Sequence, residues 1–389
     1  MAIHNTTKPL GWRRGLRLLG INALVLAALL LVLEGGLRLT GAPHGVFKLW
    51  FSGRLGLYPE NVTQVNIGNT PWVVQTNRWG FRSDEDLALA KTLGRLRIAM
   101  IGDSITDGFG VENANNFPTA LHRALTASGV NNEVINGAHG GSSIDRQLAI
   151  LRDAITPFSP DIVVLTFVTN DIHVLAAIDD ARLLHSRADT ETPARQFLRL
   201  MMVHTAVGET VVSQLLRWLS IDFARSQDEV AQQSAMGDSR YAVPGGDAFA
   251  HNAQRFMDIA AKADARILRD DIDPEMQQQL DRYWQAWDAF MAHCRQHGFR
   301  PVFVYYPAYS QVYDPSVSLR IRDLLREHSA RAGVPFLDLT PVLREKGAGT
   351  VLHLAPRDYV HLNPAGNRVL GDALAQFLRQ AGLVSHGAQ

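Results

Sequence analysis

The amino-acid sequence predicts an α/β fold organised on a parallel sheet, and three observations carry that expectation. Short runs rich in β-branched and aliphatic residues, Leu96 to Ile101, Ile162 to Val168 and Pro301 to Tyr306, read as strands buried on both faces. Segments with helical start and stop signals follow them. Where the first of these runs ends, a serine stands at the edge at which open α/β sheets take their ligands.

In chain order, the first element is apolar. Leu18 to Leu33 carries no charge, with Lys8, Arg13, Arg14 and Arg17 before it and Glu34 and Arg38 after it. Its apolar flanks extend it to the ~20 residues a bilayer requires, and the basic cluster should stay in the cytoplasm. No Ala-x-Ala-like site closes the run, so an uncleaved signal anchor over 18–39 is preferred to a cleaved signal peptide. That orientation leaves residues 1–17 as a cytoplasmic tail in a bacterial inner membrane and puts the rest of the chain in the periplasm.

Residues 40–94 mix aromatic, Gly and Pro residues, and Val73 to Ser83 reads as short β elements. The α/β pattern occupies 95–384. It opens with Leu96 to Ile101 and the short strand Glu133 to Ile135, and reaches a third strand ending at Asn170-Asp171. From about 179 to 298 the pattern breaks into a helical insertion. There Phe197 to Phe223 is apolar around most of a helix, 225–272 is polar with Pro244-Gly245-Gly246, and Asp273-Pro274 starts a helix that Gly298 ends. Leu280, Trp284, Trp287, Phe290, Met291 and Cys294 form the stripe of that helix, which favours core packing over a sugar platform. Pro301 to Tyr306, a helix around Ser318 to Ala332, the strand Val334 to Leu339 and a closing helix after Pro364 complete the pattern.

Composition narrows the function. The chain has 389 residues, 46% hydrophobic and 20% charged, enough to bury a substantial core. Its 38 basic residues balance 38 acidic ones, so nothing supplies the basic patch that nucleic-acid binding needs. The single cysteine, Cys294, lies on an apolar helix face and reads as a buried structural thiol. There is no P-loop, Rossmann glycine fingerprint or zinc-spaced His/Cys set, and no metal or organic cofactor is called for.

Four stretches carry the chemistry. Gly102-Asp103-Ser104 places a hydroxyl at a strand end, although such a tripeptide alone is more often a turn. His361, with Asp358 three residues upstream, lies in the loop feeding the last helix, whose N-cap and first residue are Asn363 and Pro364. An imidazole can take the serine proton while a nearby carboxylate fixes its tautomer. The glycine run Gly137 to Gly141 offers backbone N–H groups, and Asn170 offers a side-chain amide.

Taken together these motifs resemble the SGNH (GDSL-like) hydrolases, over roughly residues 95 to 384. The resemblance implies a flavodoxin-like three-layer α/β/α domain with Ser104 as nucleophile, His361 as base and Asp358 as its partner. It also implies an oxyanion hole made of the Ser104 N–H, the Gly141 N–H and the Asn170 amide. Val168 stands where such proteins commonly carry glycine, so the turn before Asn170 is expected to be built differently. No Gly-x-Ser-x-Gly elbow surrounds Ser104, which separates the chain from the α/β-hydrolases.

Three functions compete at this level. The first is a membrane-anchored serine esterase cleaving O-acyl, in particular acetyl, esters, on an exported polysaccharide. The second is an O-acyltransferase that passes an acyl-serine to a cell-surface or secreted polysaccharide, with a multi-span membrane acyltransferase as the partner that supplies the acyl group. The third is a non-catalytic, membrane-anchored glycan-binding or scaffold protein, which a missing triad residue would favour; none is missing.

Overall fold

The structure is a computed structural model. It describes residues 12–39, 57–58, 61, 63–66, 72–169, 171–172, 201, 205–208, 210–211, 267–354 and 360–384. Helix α1 (Trp12–Leu39) contains an 18-residue stretch with a mean hydropathy of 2.5 that is not buried inside the protein. It is long and apolar enough to cross a membrane, a property that signal sequences share. An antiparallel pair, β1 (Thr63–Asn66) and β2 (Trp72–Gln75), follows.

The remaining strands are β3 (Leu96–Ile101), β4 (Asn132–Asn136), β5 (Ile162–Phe167), β6 (Arg300–Tyr305) and β7 (Phe336–Asp338). They form one parallel sheet in the order β4-β3-β5-β6-β7. The first strand of this sheet therefore lies between the second and the third, the flavodoxin-like order, and the connections diverge at the β3/β5 boundary. Such a boundary opens a crevice at the carboxyl ends of the two strands, which is where the candidate site lies.

Among the described residues, eight helices accompany the sheet. They are α2 (Ser104–Asp107), α3 (Phe117–Ala127), α4 (Ile144–Ile150), α5 (Pro274–Gln296), α6 (Tyr309–Tyr313), α7 (Arg320–Arg331), α8 (Thr340–Gly347) and α9 (Pro364–Gln380). Strand residues alternate between faces. Ala99, Ile101, Val163, Leu165, Phe167, Phe303 and Tyr305 pack with residues of α4, α5 and α7. Ile98, Met100, Ile162, Val164, Val302 and Val304 pack with α3, α8 and α9. Both faces are covered, so the strands need apolar residues at successive positions, and the three-layer α/β/α domain follows.

The caps act locally as the sequence suggests. Asp273 accepts a hydrogen bond from Met276 N (2.8 Å) with Pro274 opening α5, and Asn363 accepts from Ala365 N and Gly366 N (both 2.9 Å) with Pro364 opening α9. Although α5 lies at the end of the 179–298 stretch, it is the crossover between β5 and β6 and belongs to the domain's own layers. Leu280, Trp287, Phe290 and Met291 are buried there, and Trp284 is half-buried with its ring 4.0 Å from that of His328. Burial pushes the Cys294 thiol up to about 12, which makes it inert. The predicted helix Phe197 to Phe223 and the polar stretch 225–272 lie largely outside the described residues.

Part of the segment between α1 and the sheet packs into the domain. Leu57, Tyr58, Phe81 and Arg82 are buried. Arg97 on β3 pairs with Glu133 on β4 and donates to Ala88 O and Leu89 O (both 2.9 Å), which staples the chain just before β3 onto the sheet.

Candidate active site

The turn that carries Ser104 is crowded. A Cβ on Gly102 would lie 2.5 Å from Thr106 Oγ1 and 3.2 Å from Thr166 O, so only glycine lets the chain turn this tightly out of β3. Ser104 is then the first residue of α2 and is half-buried. Asp103, in the N-cap position, makes no capping hydrogen bond. Its Oδ1 instead accepts from Ser142 N (3.1 Å), while Ser142 Oγ and His139 N donate to Gly102 O (2.9 and 3.2 Å). The loops after β3 and β4 are laced together around the serine.

His361 reaches this turn across 257 residues of sequence, with Nε2 2.9 Å from Ser104 Oγ. Its loop is tied down by a bridge between His353 and Leu362 and by Leu354 N donating to His361 O (2.9 Å). Tyr306 Oη donates to Val360 O (3.0 Å) and lies 3.2 Å from His353 Nε2, and Tyr313 Oη lies 3.3 Å from His353 Nδ1. Because the Tyr306 proton is spent on Val360, its oxygen must accept from His353 Nε2–H. His353 Nδ1 meets the Tyr313 hydroxyl, so a buried imidazole links the two tyrosines in a hydrogen-bonded chain that ends at the residue next to His361.

The other sequence-predicted groups divide in two. Gly141 is exposed with a left-handed φ of 70°, on the loop beside Asp103 and Ser142. Asn170 and Asp358 lie outside the described residues. Next to Asn170, Asp171 builds the turn that lacks the usual glycine: its Oδ2 accepts from Val168 N (3.0 Å) and its N donates to Val168 O (3.0 Å). Gln147 Nε2 donates to Asp171 Oδ1 (3.2 Å). Burial, reinforced by the nearby Asp103 charge, raises the Asp171 carboxyl well above the usual carboxylate range, against the pull of those two N–H groups.

Sequence reasoning missed three residues that shape the site. Phe109 faces the His361 ring at 4.4 Å with a 34° tilt. Tyr58 stacks on His139 at 4.3 Å and hydrogen-bonds the Asp107 carboxyl. Arg82 pairs with Asp107 at 3.4 Å, both side chains buried. Burial raises the Asp107 carboxyl, and the Arg82 charge opposes the rise. The one available signal was an arginine directly after Gly80-Phe81 in a segment otherwise read only as short strands. Among the described residues, no group of three or more His, Cys, Asp or Glu is arranged to hold a metal ion.

A serine and a histidine in contact at the β3 strand end, on a parallel sheet of this order, is the arrangement the motifs pointed to. The chain belongs to the GDSL-like lipase/acylhydrolase family, whose model matches residues 100–369. Among solved structures it is similar to an acetyl xylan esterase, at 15% identity over 74% of this chain and 100% of that one with a TM-score of 0.39. A catalytic mutant of an acetylxylan esterase from Geobacillus stearothermophilus matches at 14% identity over 74% and 94%, with a TM-score of 0.39. The protein TesA matches at 13% over 73% and 98%, with the same score. No curated protein matches the chain.

Proposed function

We propose that the protein is a serine esterase that cleaves O-acyl esters through an acyl-serine intermediate, with Ser104 as nucleophile, His361 as general base and Asp358 as the carboxylate that orients the imidazole. The observation that carries this reading is the 2.9 Å contact between Ser104 Oγ and His361 Nε2. Ser104 Oγ attacks the ester carbonyl as Nε2 takes its proton. The oxyanion is held by the N–H groups of Ser104 and Gly141 and the Asn170 amide. Collapse expels the alcohol, which receives the proton from His361, and water activated by the same ring releases the acid.

The substrate reading is an acetyl ester on an exported polysaccharide, and it draws on α1. A helix able to span the inner membrane would hold the domain at the periplasmic surface, where exported polymers pass. The same anchor favours a second reading, in which a polymer hydroxyl replaces water and a multi-span membrane acyltransferase supplies the acyl group. Both share the acyl-serine.

The test is covalent labelling of the full-length protein with a serine-directed fluorophosphonate, alongside hydrolysis of p-nitrophenyl acetate. Labelling and turnover should both vanish in Ser104→Ala; labelling that persists there removes the nucleophile. Incubation of the acyl donor with an added glycan, scored for free acetate and for new esters, separates hydrolysis from transfer.

A further inference from the structure

Arg82 is fully buried beside the site, and no step above uses it. Its Nε donates to Asn113 Oδ1 (2.9 Å), its Nη1 to Asp107 O and Gly108 O (2.9 and 2.6 Å), and its Nη2 to Val111 O. One guanidinium therefore grips both ends of the loop that leaves α2. Two residues of that loop, Gly108 and Gly110, have φ of +87° and +81°, and glycines impose no conformation of their own. Backbone bonds start the loop, with Gly108 N and Phe109 N donating to Ser104 O (both 3.0 Å), and the Arg82 donors hold the carbonyls at its two ends. At its centre stands Phe109, whose ring faces the His361 imidazole at 4.4 Å.

We infer that Arg82 is a positioning residue for His361: by fixing loop 107–111 it holds the Phe109 ring against the imidazole, which keeps Nε2 directed at Ser104. The inference rests on the reading of His361 as the base. It makes the stretch between α1 and the sheet part of the catalytic apparatus, because Arg82 comes from that stretch. Lysine cannot substitute, since three donors on a flexible stem do not reproduce a planar fork that meets Asn113, Asp107, Gly108 and Val111 at once.

The experiment uses full-length protein in detergent micelles, labelled with ¹³C at histidine Cε1, with the His361 resonance assigned by its loss in His361→Gln. Phe109→Leu should displace that resonance by removing the ring current, and Arg82→Lys should displace it in the same direction. Asn113→Ala, which deletes one acceptor and keeps the arginine, should give a smaller shift and replaces Arg82→Lys if that variant does not fold. In p-nitrophenyl acetate turnover Arg82→Lys should lower kcat roughly 10- to 100-fold, the scale of a displaced catalytic group, with KM nearly unchanged. In a Phe109→Leu background it should add little.

A His361 resonance unmoved by Arg82→Lys and by Asn113→Ala, while Phe109→Leu moves it, overturns the inference. Fully additive kcat losses in the double variant overturn it as well. Absence of turnover in the wild type would instead count against the esterase reading, and the resonance would still decide whether Arg82 sets the ring.

Discussion

The two groups that meet at 2.9 Å are held in place by opposite means. Ser104 rides on a turn clamped by a buried ion pair, Arg82 with Asp107, and by a guanidinium that satisfies three backbone carbonyls. The loop that carries His361 is held by the Tyr313–His353–Tyr306 hydrogen-bond chain and a short backbone bridge, and its ring leans on Phe109. A buried charge loses much when its partner is removed, whereas a neutral hydrogen bond loses little. The Ser104 side should therefore be rigid and costly to alter, and the His361 side adjustable in small steps.

The largest expected effect tests the contact itself. Ser104→Ala should lower kcat on the order of 10⁶-fold, the scale seen when a serine nucleophile is removed, measured as p-nitrophenyl acetate turnover. Next is the clamp. Arg82→Met leaves Asp107 buried without its cation and should cost about 3–5 kcal/mol of stability, read by urea denaturation, and Arg82→Met with Asp107→Asn should recover part of it. No recovery would mean that the backbone carbonyls, not the charge, depend on Arg82.

Asn170→Ala should cost about 2.7 to 4 kcal/mol of transition-state stabilisation if its amide serves the oxyanion; an unchanged kcat removes it from the hole. On the His361 side, Tyr306→Phe removes one hydrogen-bond partner from Val360 O and from the buried His353 and should cost about 1–3 kcal/mol. Denaturation midpoints for Tyr306→Phe and Arg82→Met, compared directly, would break the contrast between the two regions if Tyr306→Phe proved the worse.

The smallest effect is a pH dependence on the Ser104 side. Asp107 holds its proton more tightly in the folded chain than at its ordinary value of 3.8, because burial outweighs the Arg82 charge. Above that value the folded state binds more protons than the unfolded one, so this group makes stability fall as pH rises until it ionises in the folded chain as well. Asp107→Asn should flatten that part of the curve when denaturation midpoints are followed upward from pH ~4.

Much of this was legible in the sequence, and the reasons are local. The run Leu96 to Ile101 ending at Gly102-Asp103-Ser104, the Asp273-Pro274 and Asn363-Pro364 caps, and the alternation of strands with helices each depend on residues a few positions apart. The place of α5 was harder to read. Its stripe of Leu280, Trp287, Phe290, Met291 and Cys294 reveals a buried face, but not that the face packs against β5 and β6 in the layer with α4 and α7. Asp171 illustrates the same limit: an Asn-Asp pair after a strand reads as a turn, and its link to Gln147 on α4 is invisible without the fold.

What the chain determined by itself is the parallel α/β pattern, the apolar N-terminal helix and the serine and histidine whose side chains meet, because side-chain periodicity, caps and turn chemistry act over short distances. Only the tertiary structure decided that Arg82 lies under the Ser104 turn, that Phe109 faces His361 and that His353 links Tyr306 to Tyr313. Those contacts join segments 25 to 252 residues apart. They depend on which carbonyls and rings the folded backbone leaves in need of a partner, a quantity that does not exist until the sheet has formed.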